Sequence, residues 1–242
     1  MDFIISTIRT LLRHLWMILV GTALFTLFVI YYTRHMVGGY EVKATLYTGV
    51  ASGYNLESDK RTDWAMVQNS MDNLISIMQL SRMLGEAYWV KNFGVSARTL
   101  LNKGDHPYMN EKAYQDALAF NPNIVVIKLG TNDSKSFNWK YKADFTKDLQ
   151  TMVDAFKALP AQPKIYLCYP SKAYQTGDNI NDDIISKQII PMIKKVAKKN
   201  NLSVIDLHAA MDGMPQLFPD KIHPNEEGAK VMAKAVYQSL KK

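Results

Sequence analysis

Cysteine, glycine and proline are all scarce in this 242-residue chain, and each shortage excludes a class of protein. The single cysteine, Cys168, excludes an intramolecular disulfide framework and a cysteine-rich zinc site. The 12 glycines and 9 prolines are too few for a collagen-like or low-complexity chain. Hydrophobic residues make up 48% and charged residues 21%, which excludes wholesale disorder. We therefore expect one large domain, or one domain with an appendage.

The sequence signatures of several ligand classes are also missing. The five histidines show neither HxxxH nor HExxH spacing, so no metal site is predicted. Neither GxGxxG nor a Walker A pattern occurs, so no cofactor is predicted. The net charge of +7 comes mostly from scattered lysines, with one cluster at helical spacing: Lys194, Lys195, Lys198 and Lys199. Because no aromatic residues alternate with this cluster, we interpret it as a solvated helix face and predict no nucleic-acid partner.

One long uncharged stretch lies near the start of the chain, from Leu15 to Tyr32. A helix of this length covers about 27 Å, close to the ~30 Å hydrocarbon core of a bilayer. Trp16 and Tyr31 stand near its two ends, as interfacial aromatic residues do. The stretch predicts one transmembrane helix; the alternatives are a cleaved signal peptide and a buried core helix.

Basic side chains flank this stretch on both sides. Arg9 and Arg13 precede it and Arg34 follows it, so the charge bias slightly favours a cytoplasmic N terminus. With one span, this orientation predicts a single-pass protein of the cytoplasmic (inner) membrane whose C-terminal domain is extracytoplasmic. The membrane itself is thus the first predicted partner.

A strand and a helix are predicted next. Residues Tyr40–Tyr47 (YEVKATLY) are rich in β-branched and aromatic side chains, which favours a strand. Asp63 can cap a helix over about Trp64–Leu84. This opening, over about residues 1–80, resembles that of bacterial polysaccharide chain-length determinant proteins (Wzz type). Those proteins continue to a second transmembrane helix, and this chain has no second apolar run of that length.

The rest of the chain alternates strand-like and helix-like segments, which predicts an α/β sandwich with a mostly parallel sheet. The predicted strands are Tyr88–Phe93, Asn123–Leu129, Lys164–Tyr169 and Leu202–Asp206. The predicted helices are Asn110–Phe120, Tyr141–Leu159, Asp182–Lys199 and Asn225–Leu240. Pro191 falls inside the third helix and predicts a kink there.

Three polar clusters could carry chemistry. Gly130–Asp133 (GTND) directly follows a buried strand, where the Asn132 amide can face a developing oxyanion. Asp220 and His223 are spaced so that the carboxylate can hold the imidazole as a general base. In the third cluster, NFGVS, Gly94 lets its backbone N–H approach a substrate. Taken separately, the alternative for each cluster is an ordinary turn.

In this order and spacing the three clusters resemble the GDSL/SGNH hydrolases, particularly small carbohydrate and acyl esterases, over about Met83–Lys242. The resemblance implies a serine ester hydrolase acting on an acylated glycan or another small ester. It implies that Gly94 and Asn132 supply the backbone and side-chain donors of an oxyanion hole. It also implies that His223 is the base and that Asp220 orients it.

The chain departs from that family where the nucleophile belongs. The family's first strand ends in Gly-Asp-Ser or Gly-Asn-Ser, and neither occurs anywhere in this chain. Loss of that central strand predicts two unpaired strand edges and impaired catalysis. As a hypothesis, Tyr40–Tyr47 takes the vacant place and Ser52, in the following glycine-rich turn, stands near His223 as a substitute nucleophile.

The expected architecture is therefore a three-layer α/β sandwich of SGNH-hydrolase type, its first strand missing or replaced, preceded by one transmembrane helix. The predicted parts are a tail and membrane helix (1–35), a chain-length-determinant-like strand and helix (36–82) and the hydrolase-like domain (83–242). The first functional hypothesis is a membrane-anchored ester hydrolase of impaired activity. The second is a non-catalytic fusion, or a truncated chain-length determinant.

Overall fold

The computed structural model describes residues 25–26, 42–48 and 77–241. Contacts divide the chain into two units, Met1–Tyr40 and Glu41–Lys242. In the first unit, Phe25 and Thr26 are helical and exposed. Among the described residues, no helix combines the length and apolar character needed to span a bilayer. Apart from these two residues, the predicted span Leu15–Tyr32 lies outside the described residues.

The second unit contains a five-stranded parallel sheet in the order β2-β1-β3-β4-β5. Its strands are β1 (Val42–Thr48), β2 (Tyr88–Asn92), β3 (Ile124–Lys128), β4 (Lys164–Tyr169) and β5 (Ser203–Asp206). The four strands predicted after residue 83 form with ends within one residue of those expected, and the parallel arrangement is confirmed. All strand carboxyl ends therefore meet at one edge of the sheet.

Strand β1 lies in the centre of this sheet. It pairs with β2 from Val42 opposite Tyr88, and with β3 up to Thr48 opposite Lys128. The expected vacancy with two unpaired edges is therefore not present, because the segment hypothesised to fill it does so. Ser52, which follows β1 in the sequence, lies outside the described residues.

Helices cover both faces of the sheet. They are α1 (77–84), α2 (Lys112–Ala119), α3 (Ser136–Trp139), α4 (Phe145–Lys157), α5 (Asp182–Ile184), α6 (Ile190–Asn200), α7 (Leu207–Ala210) and α8 (Glu226–Leu240). Val125 packs on one face with Phe156 of α4 and Val196 of α6. Val126 packs on the other face with Leu80 of α1 and Val236 of α8. This alternation of apolar side chains along β3 builds the three-layer sandwich.

The predicted kink near Pro191 takes the form of a local widening of the helix. Residues Ile185–Ile189 form a π-helical turn between α5 and α6, and Pro191 occupies the first turn of α6. A proline lacks the N–H that a regular α-helical bond would need, and the π-helical turn directly before Pro191 changes the bonding pattern where that N–H is missing. The helix ends at Asn201, which has a left-handed conformation.

The strand order places a topological switch point between β1 and β3, because the chain runs outward in opposite directions from these two strands. In open α/β sheets, ligands bind beyond the carboxyl ends of the strands at such a point. The loops that follow β2 and β3 carry Gly94 and Asn132 to this edge.

Candidate active site

His223 and Asp220 are in direct contact in a turn before α8. The His223 Nδ1 atom lies 2.6 Å from Asp220 Oδ2. The other carboxylate oxygen accepts hydrogen bonds from the backbone N–H groups of Ile222 and His223, at 3.0 and 2.7 Å. Lys221 takes a φ of +70° within the turn, which lets the chain fold back onto the carboxylate. The pairing predicted from the sequence is thus formed locally.

Asp220 stays ionised in this setting. Partial burial alone would raise the pKa of Asp220, but the hydrogen bonds from the His223 N–H, its imidazole and the Ile222 N–H outweigh that effect and lower it. An ionised carboxylate can only accept hydrogen bonds, so the Nδ1 atom of His223 carries the proton. Nε2 of the neutral imidazole is then the nitrogen that can act as a base.

The first residues of α8 hold this turn in place. Asn225 caps the helix, its side-chain oxygen accepting from the Gly228 N–H at 3.0 Å. A Cβ atom on Gly228 would stand 2.7 Å from Cβ of Pro224, closer than atoms of that kind approach. Glycine at this position therefore allows the turn that carries His223 to lie against the helix.

Asn132 lies at the end of β3 in a short 3-10 helix, Asn132–Ser134. The preceding Gly130 has a φ of +115°, and a Cβ there would meet Ile189 at 3.0 Å. The Asn132 side chain donates through Nδ2 to the carbonyl of Arg98 at 3.3 Å. Its own carbonyl accepts from the Asn138 side chain at 2.9 Å. The amide that could face an oxyanion is thus held against the loop after β2, and within the described part of the chain its second N–H has no acceptor.

Asp133, the neighbour of Asn132, has a structural role that the sequence did not reveal. Its side chain is fully buried and accepts the backbone N–H groups of Leu100 and Leu101, at 3.0 and 2.8 Å. Burial raises the pKa of Asp133 to about 6, against the opposing effect of these backbone hydrogen bonds. Asp133 therefore ties the loop after β2 to the loop after β3.

The loop after β2 offers two candidate backbone donors. Gly94, the predicted donor, gives its N–H to the Asn92 side chain at 2.8 Å, so its role in an oxyanion hole requires that bond to open and stays a prediction. Ala97 has a φ of +60°, unusual for a residue with a Cβ. Within the described part of the chain, its N–H meets no acceptor. Because Ala97 precedes Arg98, whose carbonyl contacts Asn132, it is a second candidate, and an alanine gave no sequence signal for it.

A second histidine–aspartate contact lies at the same edge of the sheet. His208 Nε2 is 3.1 Å from Asp182 Oδ1, and Lys172 Nζ is 3.3 Å from the other carboxylate oxygen. Asp182 also accepts the Ala173 N–H at 2.9 Å. Burial would raise the pKa of Asp182, but these partners lower it. Because both of its oxygens have partners, Asp182 anchors the surrounding loops. The contact could not be predicted from the sequence, because Asp182 and His208 are far apart along the chain.

The loop after β4 contacts both halves of the candidate site, which places them at one edge. It reaches Ser134 beside Asn132 and Lys221 beside His223. In the described ranges, no group of three or more histidine, cysteine, aspartate or glutamate side chains could hold a metal ion. The structure therefore brings Asn132, Gly94, Asp220 and His223 to a common edge, while Ser52 lies outside the described residues.

A His–Asp pair and an asparagine amide at the carboxyl edge of a parallel sheet can supply the base and one oxyanion donor of an acyl-transfer site. The GDSL-like Lipase/Acylhydrolase family matches this chain over residues 75–231, and the chain belongs to that family. The match begins at residue 75, eight residues upstream of Met83, where the sequence resemblance was expected to begin.

Comparison with individual proteins agrees with this assignment. An acetylxylan esterase of Xylanibacter ruminicola is 52% identical over 182 residues, which is 67% of this chain and 38% of that protein. The chain thus matches well under half the length of this relative. A carbohydrate acetylesterase from Sinorhizobium meliloti has a TM-score of 0.60 at 16% identity, over 83% of this chain and 99% of that one. A lipase/acylhydrolase from Enterococcus faecalis has a TM-score of 0.59 at 21% identity, over 83% and 95%. These structures share the fold.

Proposed function

We propose that this protein is a membrane-anchored hydrolase of carbohydrate O-acetyl esters with a reduced catalytic rate. The observation that carries the proposal is the 2.6 Å contact of His223 Nδ1 with Asp220 at the sheet edge where Asn132 also stands. Among the described residues, nothing hydrogen-bonds to His223 Nε2 or to the second N–H of the Asn132 amide, so the first can take a proton from a nucleophile and the second can stabilise negative charge.

In the first half of the reaction a serine oxygen attacks the ester carbonyl while His223 Nε2 takes its proton. The Asp220 carboxylate stabilises the imidazolium that forms. The carbonyl oxygen becomes an oxyanion, which the Asn132 amide and the N–H of Ala97 or Gly94 stabilise. When the intermediate collapses, the C–O bond to the sugar breaks and the imidazolium gives its proton to the leaving hydroxyl.

In the second half a water molecule replaces the sugar. His223 takes a proton from the water, whose oxygen attacks the acyl-serine carbonyl. The same donors stabilise the second oxyanion. Collapse breaks the bond to the serine oxygen, which takes the proton from the imidazolium, and this restores the starting state. The product leaves as acetic acid and loses its remaining proton to water, giving acetate.

Ser52 is the proposed nucleophile. It follows the central strand β1 in sequence, and a residue beyond the carboxyl end of that strand is close to the switch point. Ser52 lacks the preceding Asp or Asn of the family pattern. A misplacement of about 1 Å can cost about 10²-fold in rate, so we expect turnover about that much below that of the Xylanibacter relative.

The name of the 52% identical relative, an acetylxylan esterase, supports an acetylated carbohydrate as the substrate. The apolar stretch Leu15–Tyr32 supports a membrane anchor. With a cytoplasmic N terminus, this anchor places the hydrolase unit outside the cytoplasmic membrane, next to surface glycans. Protease treatment of spheroplasts tests the placement: cleavage near Lys242 in intact spheroplasts agrees with it, and protection contradicts it.

The function is tested with the full chain in detergent, using O-acetylated xylo-oligosaccharides and p-nitrophenyl acetate. Acetate release that His223→Ala abolishes, and that favours the oligosaccharide in kcat/KM, is the expected result. Tyr237→Phe, near the far end of α8, is the matched control and is expected to match the parent. Failure of the folded parent to release acetate from either substrate would overturn the proposal.

The absence of Gly-Asp-Ser and Gly-Asn-Ser favours a second candidate. In it, the chain-length-determinant-like opening is joined to a hydrolase domain that no longer turns over, and the product is a non-catalytic membrane protein. This candidate predicts a folded protein in which no serine reacts with an acylating probe. The two candidates therefore differ in one measurable property, the reactivity of Ser52.

A further inference from the structure

The loop between β4 and α5, residues 170–181 and here called the bridging loop, touches both halves of the candidate site. On the Asn132 side, the Asn181 N–H donates to Ser134 Oγ at 2.9 Å. The Asp178 carbonyl accepts the N–H of Ser136 at 3.0 Å. These two bonds join the far end of the bridging loop to the 3-10 helix that carries Asn132 and to α3.

On the His223 side the contacts converge on one residue of the bridging loop, Tyr174. Its backbone N–H donates to the carbonyl of Lys221 at 2.7 Å, inside the turn that holds Asp220 and His223. Its hydroxyl donates to the Met211 carbonyl and accepts the Met214 N–H, each at 2.6 Å. Its ring lies 5.0 Å from the Phe218 ring, inclined by 57°.

The base of the bridging loop is fixed independently. Asp182 accepts the N–H of Ala173, and its carboxylate contacts His208 and Lys172. Tyr174 therefore follows an anchored residue, and its position is set by the body of the domain rather than by the turn it contacts.

The turn at 218–224 receives few hydrogen bonds from other segments of the chain. Within the described residues, the bond from Tyr174 to Lys221 is the one hydrogen bond that reaches 218–224 from outside the segment 215–225. The His223 side chain is 32% exposed and that of Asp220 is 46% exposed, so burial contributes little to holding the pair. Without Tyr174, the pair depends on the turn's internal bonds, on its packing against α8 and on the core packing of Phe218 and Ile222.

We propose that Tyr174 is a positioning residue whose hydroxyl, by joining Met211 to Met214, sets the place of the Asp220–His223 pair relative to Asn132. The expected effect of Tyr174 on kcat rests on the proposed ester hydrolysis. Its expected effect on the place of the Asp220–His223 pair does not. The backbone N–H of Tyr174 holds the turn directly. Its hydroxyl holds the segment that leads into the turn, by joining Met211 to Met214.

Tyr174→Phe tests this with little change in packing, since the ring remains and only the hydroxyl is lost. We expect kcat for the acetyl ester to fall about 10-fold with KM within twofold, because a displaced base is slow in the chemical step while substrate binding is kept. We also expect the downfield proton NMR signal of His223 Nδ1–H to broaden and to exchange with water faster. Tyr237→Phe, about 18 Å farther along α8 from its cap, is the control that loses a hydroxyl away from the site.

The two readouts separate the inference from the proposed function. If the parent does not hydrolyse the ester, the proposed function fails, and a changed Nδ1–H signal in Tyr174→Phe still supports the positioning role. A Tyr174→Phe protein whose Nδ1–H signal and kcat match those of Tyr237→Phe would overturn the inference. A fall in melting temperature with an unchanged Nδ1–H signal would overturn it as well, because that is the outcome of a purely structural tyrosine.

Discussion

Asp133 and Asp220 make the same kind of contact in two different regions of the site. Each carboxylate accepts two consecutive backbone N–H groups, Leu100 and Leu101 for Asp133, and Ile222 and His223 for Asp220. Asp133 is fully buried and its pKa is raised to about 6, whereas the pKa of the half-exposed Asp220 is lowered. Full desolvation of Asp133, together with the imidazole hydrogen bond that only Asp220 accepts, therefore separates a structural aspartate from one that stays charged to support a base.

The two halves of the site differ in burial in the same way as these two aspartates. The Asn132 half consists of buried loops tied together by Asp133 and Asn138. The His223 half is an exposed turn held by local bonds and by Tyr174. An oxyanion hole works when its donors are fixed before the reaction, while a base must exchange protons with water and product. We therefore expect mutation of the buried anchor Asp133 in the first half to affect mainly stability, and mutation of the exposed His223 in the second half to affect mainly catalysis.

The largest effect is expected for His223→Ala. Removing the base is expected to lower hydrolysis by about 10³-fold, because the nucleophile then keeps its proton. Since the side chain is partly exposed, the free energy of unfolding is expected to change by less than about 0.5 kcal/mol. Initial rates and a urea titration measure the two quantities. A stability loss as large as that of a core mutation would contradict the division between the halves.

Asp133→Ala is expected to lower the free energy of unfolding strongly, unlike His223→Ala. It leaves the N–H groups of Leu100 and Leu101 buried without acceptors, which costs about 3 kcal/mol in the free energy of unfolding. Urea unfolding followed by fluorescence measures this loss. The folded fraction is expected to lose activity as well, because the loop that faces Asn132 is released. A loss below about 1 kcal/mol would show that the two loops do not depend on this carboxylate.

Asp133 and Asp220 are also expected to affect stability in opposite directions as pH changes. The raised pKa of Asp133 stabilises the fold below about pH 4, and that contribution is lost as pH rises through about 6. Relative to Asp133→Asn, the parent is expected to lose about 3 kcal/mol between pH 4 and 7. The lowered pKa of Asp220 stabilises the fold above about pH 4, and that contribution is lost at lower pH. Unfolding free energies of the parent and of both asparagine variants from pH 3 to 7 test this, and parallel curves would contradict it.

Asn132→Ala sharpens the comparison within the buried half. The loss of one oxyanion donor is expected to lower kcat by about 10²-fold and to leave KM nearly unchanged. Asn132 is only partly buried and donates a single long bond, so stability is expected to fall by about 1 kcal/mol or less. Steady-state kinetics at saturating and limiting substrate distinguish the two parameters. An effect confined to KM would assign the amide to substrate binding instead.

Gly228→Ala is the smallest expected perturbation of the exposed half. Its new methyl group would meet Pro224, so the turn must move away from α8. Overpacking of this kind costs about 1 to 2 kcal/mol, and the displaced His223 is expected to lower kcat severalfold. Thermal unfolding and initial rates check both effects.

The local sequence pattern predicted where each strand begins and ends better than it predicted which strands pair with each other. Residues Lys164–Tyr169 form β4 with the ends expected, because an apolar run bounded by polar residues is visible in the sequence. The central place of β1 could only be hypothesised, since pairing between strands so far apart in sequence leaves no local signal.

In the candidate site too, contacts within one turn could be predicted from the sequence, and contacts between distant segments could not. Asp220 and His223 could be predicted as a pair because a single turn joins them. The contacts of Asp182 with His208, and of Asp133 with Leu100, come from folding distant segments together. The role of Tyr174 depends on its contacts with three segments of the folded chain, so no spacing rule could indicate it.

The most direct test of this account is the reaction of the full chain in detergent with a fluorophosphonate probe, followed by peptide mapping. The account predicts that the label is on Ser52, that His223→Ala abolishes it, and that Tyr237→Phe does not. A folded protein that takes no label, or a label on Ser52 that persists without His223, would contradict the claim that the His–Asp pair activates Ser52.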